Sequence, residues 1–446
     1  MNGSFWRRLD RQTALKKVQS VSDLPSAQNI MKFSKFGNRF RRHTGARQLM
    51  DDLGAAMVSE EPVMMLGGGN PAHIPEVLQL LAERTREVAG KPHEFRRMIT
   101  DYSSPAGDDR FRASLARLLQ REYGWPLGPE HIALTGGSQS GFFQLFNLLA
   151  GVFDDGSFRR ILLPLTPEYV GYTDLGLAEK LFVSNRPIIE YLDDRLFKYH
   201  IDFDCLNVED DIAAICVSRP TNPTGNVLTD IEVRQLLDIA RTRKVPLILD
   251  NAYGVPFPGI IFQSVEPVWD DNVILCMSLS KIGLPAVRTG IIVAHPDIID
   301  AITSLNSVMS LSVSSVGPVL LNDLVETGQI IALGRDVIRP YYHARADQAL
   351  AWIRSALDGC EYFIHRPEGA FFLWLWLPEM SITCDELYQR LKKRGVIVVP
   401  GHHFFPGLEE DWSHKHECIR ISYSQQAETV CRGISVIGEE VRNACH

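Results

Sequence analysis

The chain has 446 residues, of which 45% are hydrophobic and 22% charged, and its formal net charge is −8. This is an ordinary globular composition with core enough for two or three domains, and its acidic balance excludes general recruitment of nucleic acid or of an anionic membrane surface. No run of about 18 apolar residues offers a membrane span, and no apolar stretch near Met1 reads as an export signal.

The charge is unevenly placed. Residues 1–47 carry +9 and the remainder carries −17. A basic leader fits a transit peptide or a solvated extension, and the extension is the preferred reading for 1–30. Residues 31–75 then form an arm and part of a small domain. From about Glu76 to Gly334, short apolar runs alternate with helical patterns. Strands are expected at Ile132–Leu134, Ile161–Leu163, Leu181–Val183, Ile212–Val217, Pro246–Leu249, Val273–Met277 and Gly290–Val293. They are rich in Ile, Val and Leu without alternation, as in strands covered on both faces. Helices are expected at Ser140–Ala150, Asp230–Arg243 and Pro296–Leu305. Residues 76–334 therefore read as an α/β domain with a mainly parallel seven-stranded sheet flanked by helices.

After about Arg335 the pattern changes to that of a smaller α+β domain over 335–446. A helix at Tyr341–Leu357 precedes a strand at Ala370–Leu377 and a helix at Thr383–Lys393. Strands at Val396–Val399 and Ile419–Ser422 and a closing helix at Ala427–Val441 complete it. The eight cysteines include no CxxC pair, and Cys216 and Cys276 lie in apolar runs as small hydrophobes, which fits a reduced cytoplasmic setting. His402, His403, His414, His416 and Cys418 match no zinc spacing, so they read as surface or loop residues and no metal is expected.

Six motifs fall at strand ends or in adjoining turns, where open α/β sheets form ligand crevices. Thr135-Gly136-Gly137-Ser138-Gln139-Ser140 joins a strand to a helix, and a helix N-terminus attracts phosphate; Ser138 as a plain N-cap is the simpler alternative. Tyr169, in Pro167-Glu168-Tyr169, offers a ring that stacks on a planar heterocycle or merely packs. In Ser218-Arg219-Pro220-Thr221-Asn222-Pro223-Thr224-Gly225 the prolines and glycine fix a turn that aims the Asn222 amide, suited to a phenolate oxygen. Asp250 and Tyr253 follow the strand ending at Leu249. A carboxylate buried there needs a partner, for which a protonated pyridine nitrogen is suitable, with Tyr253 placed to donate to a phenolate.

The most informative motif is Ser278-Leu279-Ser280-Lys281 with Arg288 close behind. A solvated loop with a salt-bridging lysine would look similar in isolation. Yet a lysine forms a Schiff base with an aldehyde, while hydroxyls and a guanidinium suit a phosphate. Pyridoxal 5'-phosphate (PLP) carries both groups. Finally, Arg420 interrupts the apolar strand Cys418-Ile419-Arg420-Ile421-Ser422, where its fork requires an anion, either a substrate carboxylate or an internal salt-bridge partner.

The order Asn222, Asp250, Lys281, Arg288, Arg420 resembles the class I/II aminotransferases, which are fold-type I PLP enzymes. The resemblance runs from about Met31 to near the end of the chain. The strings KFSKFGNRFRRHTG, MLGGGNPAHIPE, ALTGGSQSGFFQLFNL, ICVSRPTNPTGNVLTD, DNAYGVPFPGIIF and LCMSLSKIGLP extend it to one branch of that family. It implies ping-pong transfer of an amino group between valine, or a similar apolar amino acid, and pyruvate. It also implies that Lys281 carries the cofactor and shuttles the proton, Asp250 meets the ring nitrogen, and Asn222 and Tyr253 meet the ring oxygen. Tyr169 would support the ring, while Ser138, Gln139, Ser278 and Arg288 would hold the phosphate. Arg420, Asn222 and the backbone of Gly69 would bind the substrate carboxylate. A homodimer is implied as well, in which Tyr102, in a Tyr-x4-Gly pattern ending at Gly107, reaches the other subunit's phosphate site. Residues 1–30 have no counterpart, and Pro285-Ala286-Val287-Arg288 lacks the glycine usual after the proline. Other PLP chemistry on the same scaffold, such as β-elimination or decarboxylation, would share the cofactor residues. A transcription regulator with such a domain would need a DNA-binding module longer than residues 1–30.

Overall fold

The structure, a computed structural model, describes residues 31–41, 54, 63–378 and 380–445. The basic extension expected over 1–30 lies outside the described residues. The chain divides into two units, Met1–His43 and Thr44–His446. In the first, Lys35–Arg41 is helical and the rings of Phe36 and Phe40 lie 4.9 Å apart.

In the second unit the strands in chain order are β1 (Met64–Met65), β2 (Ile132–Thr135), β3 (Gly151–Val152), β4 (Phe158–Leu163), β5 (Phe182–Ser184), β6 (Ile188–Tyr191), β7 (Leu196–His200) and β8 (Ile212–Ser218). They continue with β9 (Leu247–Asp250), β10 (Val273–Ser278), β11 (Gly290–Val293), β12 (Phe363–His365), β13 (Phe372–Trp376), β14 (Val396–Ile397), β15 (Val399–Pro400) and β16 (Cys418–Ser422). All seven strands expected between 76 and 334 are present. Every residue of β2, β8, β9, β10 and β11 is buried, which is why their sequences do not alternate.

The large sheet has eight strands in the order β2-β11-β10-β9-β8-β4-β3, with β5 also on β4. It is a mixed sheet with four parallel and three antiparallel ladders. The ladders β10–β9, β9–β8, β8–β4 and β4–β5 are parallel, whereas β11 runs antiparallel to both β10 and β2, and β3 is antiparallel to β4. The reversal at β11 follows from chain length: residues 279–289 are too few for the crossover of about a dozen or more residues that a parallel return requires. The added β3 is a two-residue strand whose apolar residues run on directly from the helix ending at Leu149, so nothing in the sequence separates the two.

Helix Ser138–Leu149 covers one face of this sheet with Phe142, Leu145 and Phe146, an i, i+3, i+4 stripe set against Ile161, Ile274 and Ile292. It begins at Ser138, not Ser140, and the helix from Pro296 continues to Ser310. Helix Asp230–Arg243 matches its expected limits because Thr229 and Glu232 form a reciprocal capping box, with Glu232 accepting from Thr229 N at 2.7 Å.

A second, six-stranded sheet has the order β15-β16-β13-β12-β7-β6. The hairpin β6–β7, encoded between strands of the large sheet, joins it through a parallel pairing of β7 with β12. The single strand expected over Val396–Val399 is two short ones. β14 pairs with β1, while β15 pairs with β16 in the second sheet.

A buried ion pair ties this sheet to the Asn222 turn. Lys198 of β7 meets Glu368, both side chains being 3% exposed, and Lys198 Nζ also donates to Asn226 Oδ1 and Val227 O at 3.0 Å. Glu368 accepts from Val227 N at 3.0 Å. Next to them Gly225, at φ 70°, lies so close that a Cβ would stand 2.7 Å from Gly369 O. Glu368 Oε1 keeps Arg366 Nε at 3.0 Å, so Lys198→Met leaves the carboxylate half-paired and should cost about 1–3 kcal/mol. Urea unfolding should show the loss as a lower midpoint at unchanged slope.

Candidate active site

At the carboxyl ends of β8 and β9 the register sets Ser218 beside Asp250, and β10 continues past them to Ser278. A cavity of about 160 Å³ opens there. It is lined by Gly69, Ser138, Gln139, Tyr169, Asn222, Asp250, Tyr253, Ser278, Lys281, Arg288 and Arg420, which are all the expected site residues but one. Tyr102 stands apart: it is 84% exposed and lines a separate depression with Arg97 and Asp101. A more open cleft of about 970 Å³ lies near Arg160 and Lys180. Its charges pair with one another, Lys180 with Glu409 at 3.3 Å and Arg186 with Glu410 at 2.6 Å, so nothing converges on a ligand.

Asp250 is the only acidic side chain among the described residues that line the smaller cavity. Its Oδ1 accepts from Ala252 N at 2.9 Å and its Oδ2 from the Tyr172 hydroxyl at 2.7 Å. Burial raises this carboxyl to about 6, while both hydrogen bonds and Lys281 oppose the rise. Asp250 is therefore ionised at neutral pH, with its charge fixed in direction.

Lys281 sits on a 3-10 turn, Leu279–Ile282, which Ser278 caps by accepting from Ser280 N at 3.2 Å. Its Nζ donates to Gly69 O at 2.7 Å and lies 5.2 Å from the Tyr253 ring centroid and 5.5 Å from that of Phe371. Burial, then Arg420 and Arg288, pulls its amine down to about 8, and Asp250 alone opposes. Among the amines and guanidinia here the lysine is the one able to give up its proton, because an arginine keeps its charge.

Two anion sites flank this amine. On one side, Gly137 at φ 94° precedes the helix from Ser138, and any side chain at Gly137 would collide with the Arg288 guanidinium. Arg288, at φ 51° after the turn Pro285–Val287, thus faces free helix N–H groups despite the absent glycine. On the other side, Arg420 donates to Asn222 Oδ1 at 2.7 Å and to Gly67 O at 2.5 Å, and it lies 4.4 Å from the Phe372 ring centroid. Burial lowers it to about 10, which leaves it charged at neutral pH.

Sequence reasoning missed Tyr172 and gave Glu168 and Ser218 no role of their own. Glu168 is fully buried and accepts from Ser218 N at 2.8 Å, from Ser218 Oγ at 2.6 Å and from Tyr169 N at 3.1 Å. The one available signal was a second aromatic three residues after Tyr169. On the 3-10 turn Val170–Tyr172 that spacing brings the two rings to 5.4 Å, edge to face. Ser280 and Phe142, also in the wall, were likewise unassigned.

Residues 61–437 match the family model of class I and II aminotransferases, and the chain belongs to that family. It is a PLP-dependent transaminase acting on amino-acid and 2-oxo-acid substrates. More narrowly, it is 47% identical over 416 residues to valine–pyruvate aminotransferase of Escherichia coli strain K12, covering 93% of this chain and 99% of that one. Among solved structures, a putative amino-acid aminotransferase from Psychrobacter arcticum is 45% identical with a TM-score of 0.91, covering 93% and 99% of the two chains. Valine–pyruvate aminotransferase of Salmonella typhimurium is also 45% identical, with a TM-score of 0.82 over 90% and 99%.

The residues present fit PLP. Arg288 and the helix N-terminus make a cradle that a Cβ at Gly137 would fill, and the buried donor Arg420 Nε has no partner among the described residues. A single ionised carboxylate and an adaptable amine complete the donor set.

One consequence concerns stability. The Lys281 amine titrates at about 8 when folded against the ordinary 10.5. Between these values the unfolded chain holds the proton and the folded chain does not, so stability of the cofactor-free protein rises with pH across that window. Below about 8 the folded state carries the full cost of a buried ammonium. Lys281→Met should therefore raise the melting temperature of cofactor-free protein at pH 7 and flatten that slope, as scanning calorimetry across pH would show.

Proposed function

We propose that this chain catalyses transamination between valine, or a similar apolar amino acid, and pyruvate, yielding 2-oxoisovalerate and alanine by a ping-pong route. The observation that carries the chemistry is the Lys281 amine held at about 8 between two guanidinia and one carboxylate. The donor and acceptor rest on similarity to the two valine–pyruvate aminotransferases. Apolar wall residues Phe142, Val170 and Pro220 suit a branched aliphatic side chain.

When bound, PLP supplies an aldehyde for the amine and a ring that takes up electrons from the bond broken at Cα. Lys281 would be the residue that binds that aldehyde, and its amine would be the base that moves the Cα proton. Asp250 would meet the ring nitrogen, and Tyr253 and Asn222 the ring oxygen. Arg288, Ser138, Gln139 and Ser278 would hold the phosphate, and Tyr169 would support the ring. Arg420, with Asn222 and the Gly69 backbone, would bind and orient the substrate carboxylate.

We assign the cofactor-binding domain to residues 76–334 and the small domain to 335–446 with part of 31–75; the hairpin β6–β7, encoded within 76–334, pairs with the sheet of the small domain. We further read the enzyme as a cytoplasmic homodimer. Tyr102 lies next to Ser103, whose hydroxyl donates to Val313 O at 3.1 Å, and Ile99, Tyr102 and Leu311 are 56%, 84% and 67% exposed, an apolar display suited to a second copy.

Purified enzyme given valine and pyruvate should form alanine and 2-oxoisovalerate in equal amounts. Other products would point to different PLP chemistry. Arg420→Ala should raise the amino-acid KM by roughly a hundredfold while the bound cofactor's visible band persists. Loss of the cofactor instead would contradict the role given to Arg420.

A further inference from the structure

Behind the cavity wall, the Asp250 carboxylate is joined through two hydroxyls to a second carboxyl group that has no role above. Glu168 Oε2 lies 2.6 Å from Ser218 Oγ, which is 3.4 Å from the Tyr172 hydroxyl, and that hydroxyl donates to Asp250 Oδ2 at 2.7 Å. All four side chains are buried, with Glu168 and Tyr172 fully so. We propose that Glu168 is a positioning residue for Asp250, holding Ser218 where it keeps the Tyr172 hydroxyl pointed at the Asp250 carboxylate. The proposal rests on the reading that Asp250 meets the cofactor's ring nitrogen.

The direction of the chain follows from its donors. Ser218 N and Oγ and Tyr169 N all donate to Glu168, which fixes the serine oxygen 3.4 Å from the Tyr172 hydroxyl, and Tyr172 donates to Asp250 Oδ2 at 2.7 Å. Burial raises both carboxyls, and the Asp250 charge adds to the rise at Glu168. Without the Glu168 oxygens the serine is released from this position and Tyr172 loses the neighbour that holds its hydroxyl toward Asp250. The titratable groups facing Glu168 are Asp250, Tyr169, Tyr172 and Cys216, and burial pushes both tyrosines and the thiol upward, so Asp250 is the only charge among them.

Anchoring the loop does not require this side chain. The Glu168 backbone N–H already donates to Phe404 O at 2.8 Å. A buried carboxyl whose only partners are Ser218 and a neighbouring N–H is costly unless it serves the network it ends.

The test uses cofactor-loaded protein, with folding checked by circular dichroism. Glu168→Gln keeps an oxygen that accepts from Ser218 and does not titrate. Its cofactor dissociation constant and the pH midpoint of the visible band should stay within about twofold of wild type. Glu168→Ala should weaken cofactor binding by about tenfold and displace the midpoint. If Glu168→Ala does not fold, Ser218→Ala breaks the same chain and must give the same loss. Wild-type affinity and midpoint in the folded alanine variant, or equal damage in the glutamine variant, would overturn the proposal. Asp250→Asn, measured in parallel, separates the two layers. If it leaves the midpoint unchanged, the role of Asp250 fails and takes Glu168 with it. If it shifts the midpoint while Glu168→Ala does not, only the Glu168 proposal fails.

Discussion

Three cations, Lys281, Arg288 and Arg420, share one small cavity with a single ionised carboxylate, Asp250. Their burial in a poorly solvated space, reinforced by their mutual repulsion, is the constraint on which the rest depends. Two of the three are guanidinia that cannot lose a proton under ordinary conditions, so the strain falls on the lysine, whose amine drops to about 8. The same excess of positive charge makes the cavity a receptor for two anionic groups, one near Arg288 and one near Arg420. A phosphorylated aldehyde and an amino-acid carboxylate satisfy both while neutralising the field that activated the amine.

The fold holds this arrangement by drawing on both sheets. Asp250 and Lys281 come from adjacent strand ends of the large sheet, and Arg420 comes from β16 of the second. The two contributions meet where Arg420 bonds Asn222 at 2.7 Å and where Glu168 N bonds Phe404 O at 2.8 Å. Phe404 in turn lies with its ring centroid 5.2 Å from the Arg420 guanidinium. The buried Lys198–Glu368 pair secures the turn that carries Asn222. Such a pair contributes less to net stability than to fixing one geometry, and here that geometry aims the Asn222 amide.

Most of this was legible in the sequence because the signals were local. Apolar runs bounded by turns located the strands of the large sheet, and Gly137, Asn222, Asp250, Lys281 and Arg420 each stand in a short motif whose chemistry is tied to a strand end. What could not be read there depended on long-range pairing. Nothing in residues 188–200 announces that β7 pairs with β12. Tyr172 and Glu168 escaped for a similar reason. An aromatic and an acid beside a proline look like turn residues until Ser218, from a distant strand, comes within 2.6 Å of the Glu168 carboxyl. Tyr102 was read only through family resemblance, and its exposure of 84% leaves it outside the cavity of its own chain.

The most direct measurement is to reduce the cofactor-loaded enzyme with borohydride, digest it, and locate the pyridoxyl group by peptide mass spectrometry. The account predicts one labelled peptide, modified at Lys281. A label on another lysine, or reduced protein that carries none, would contradict it.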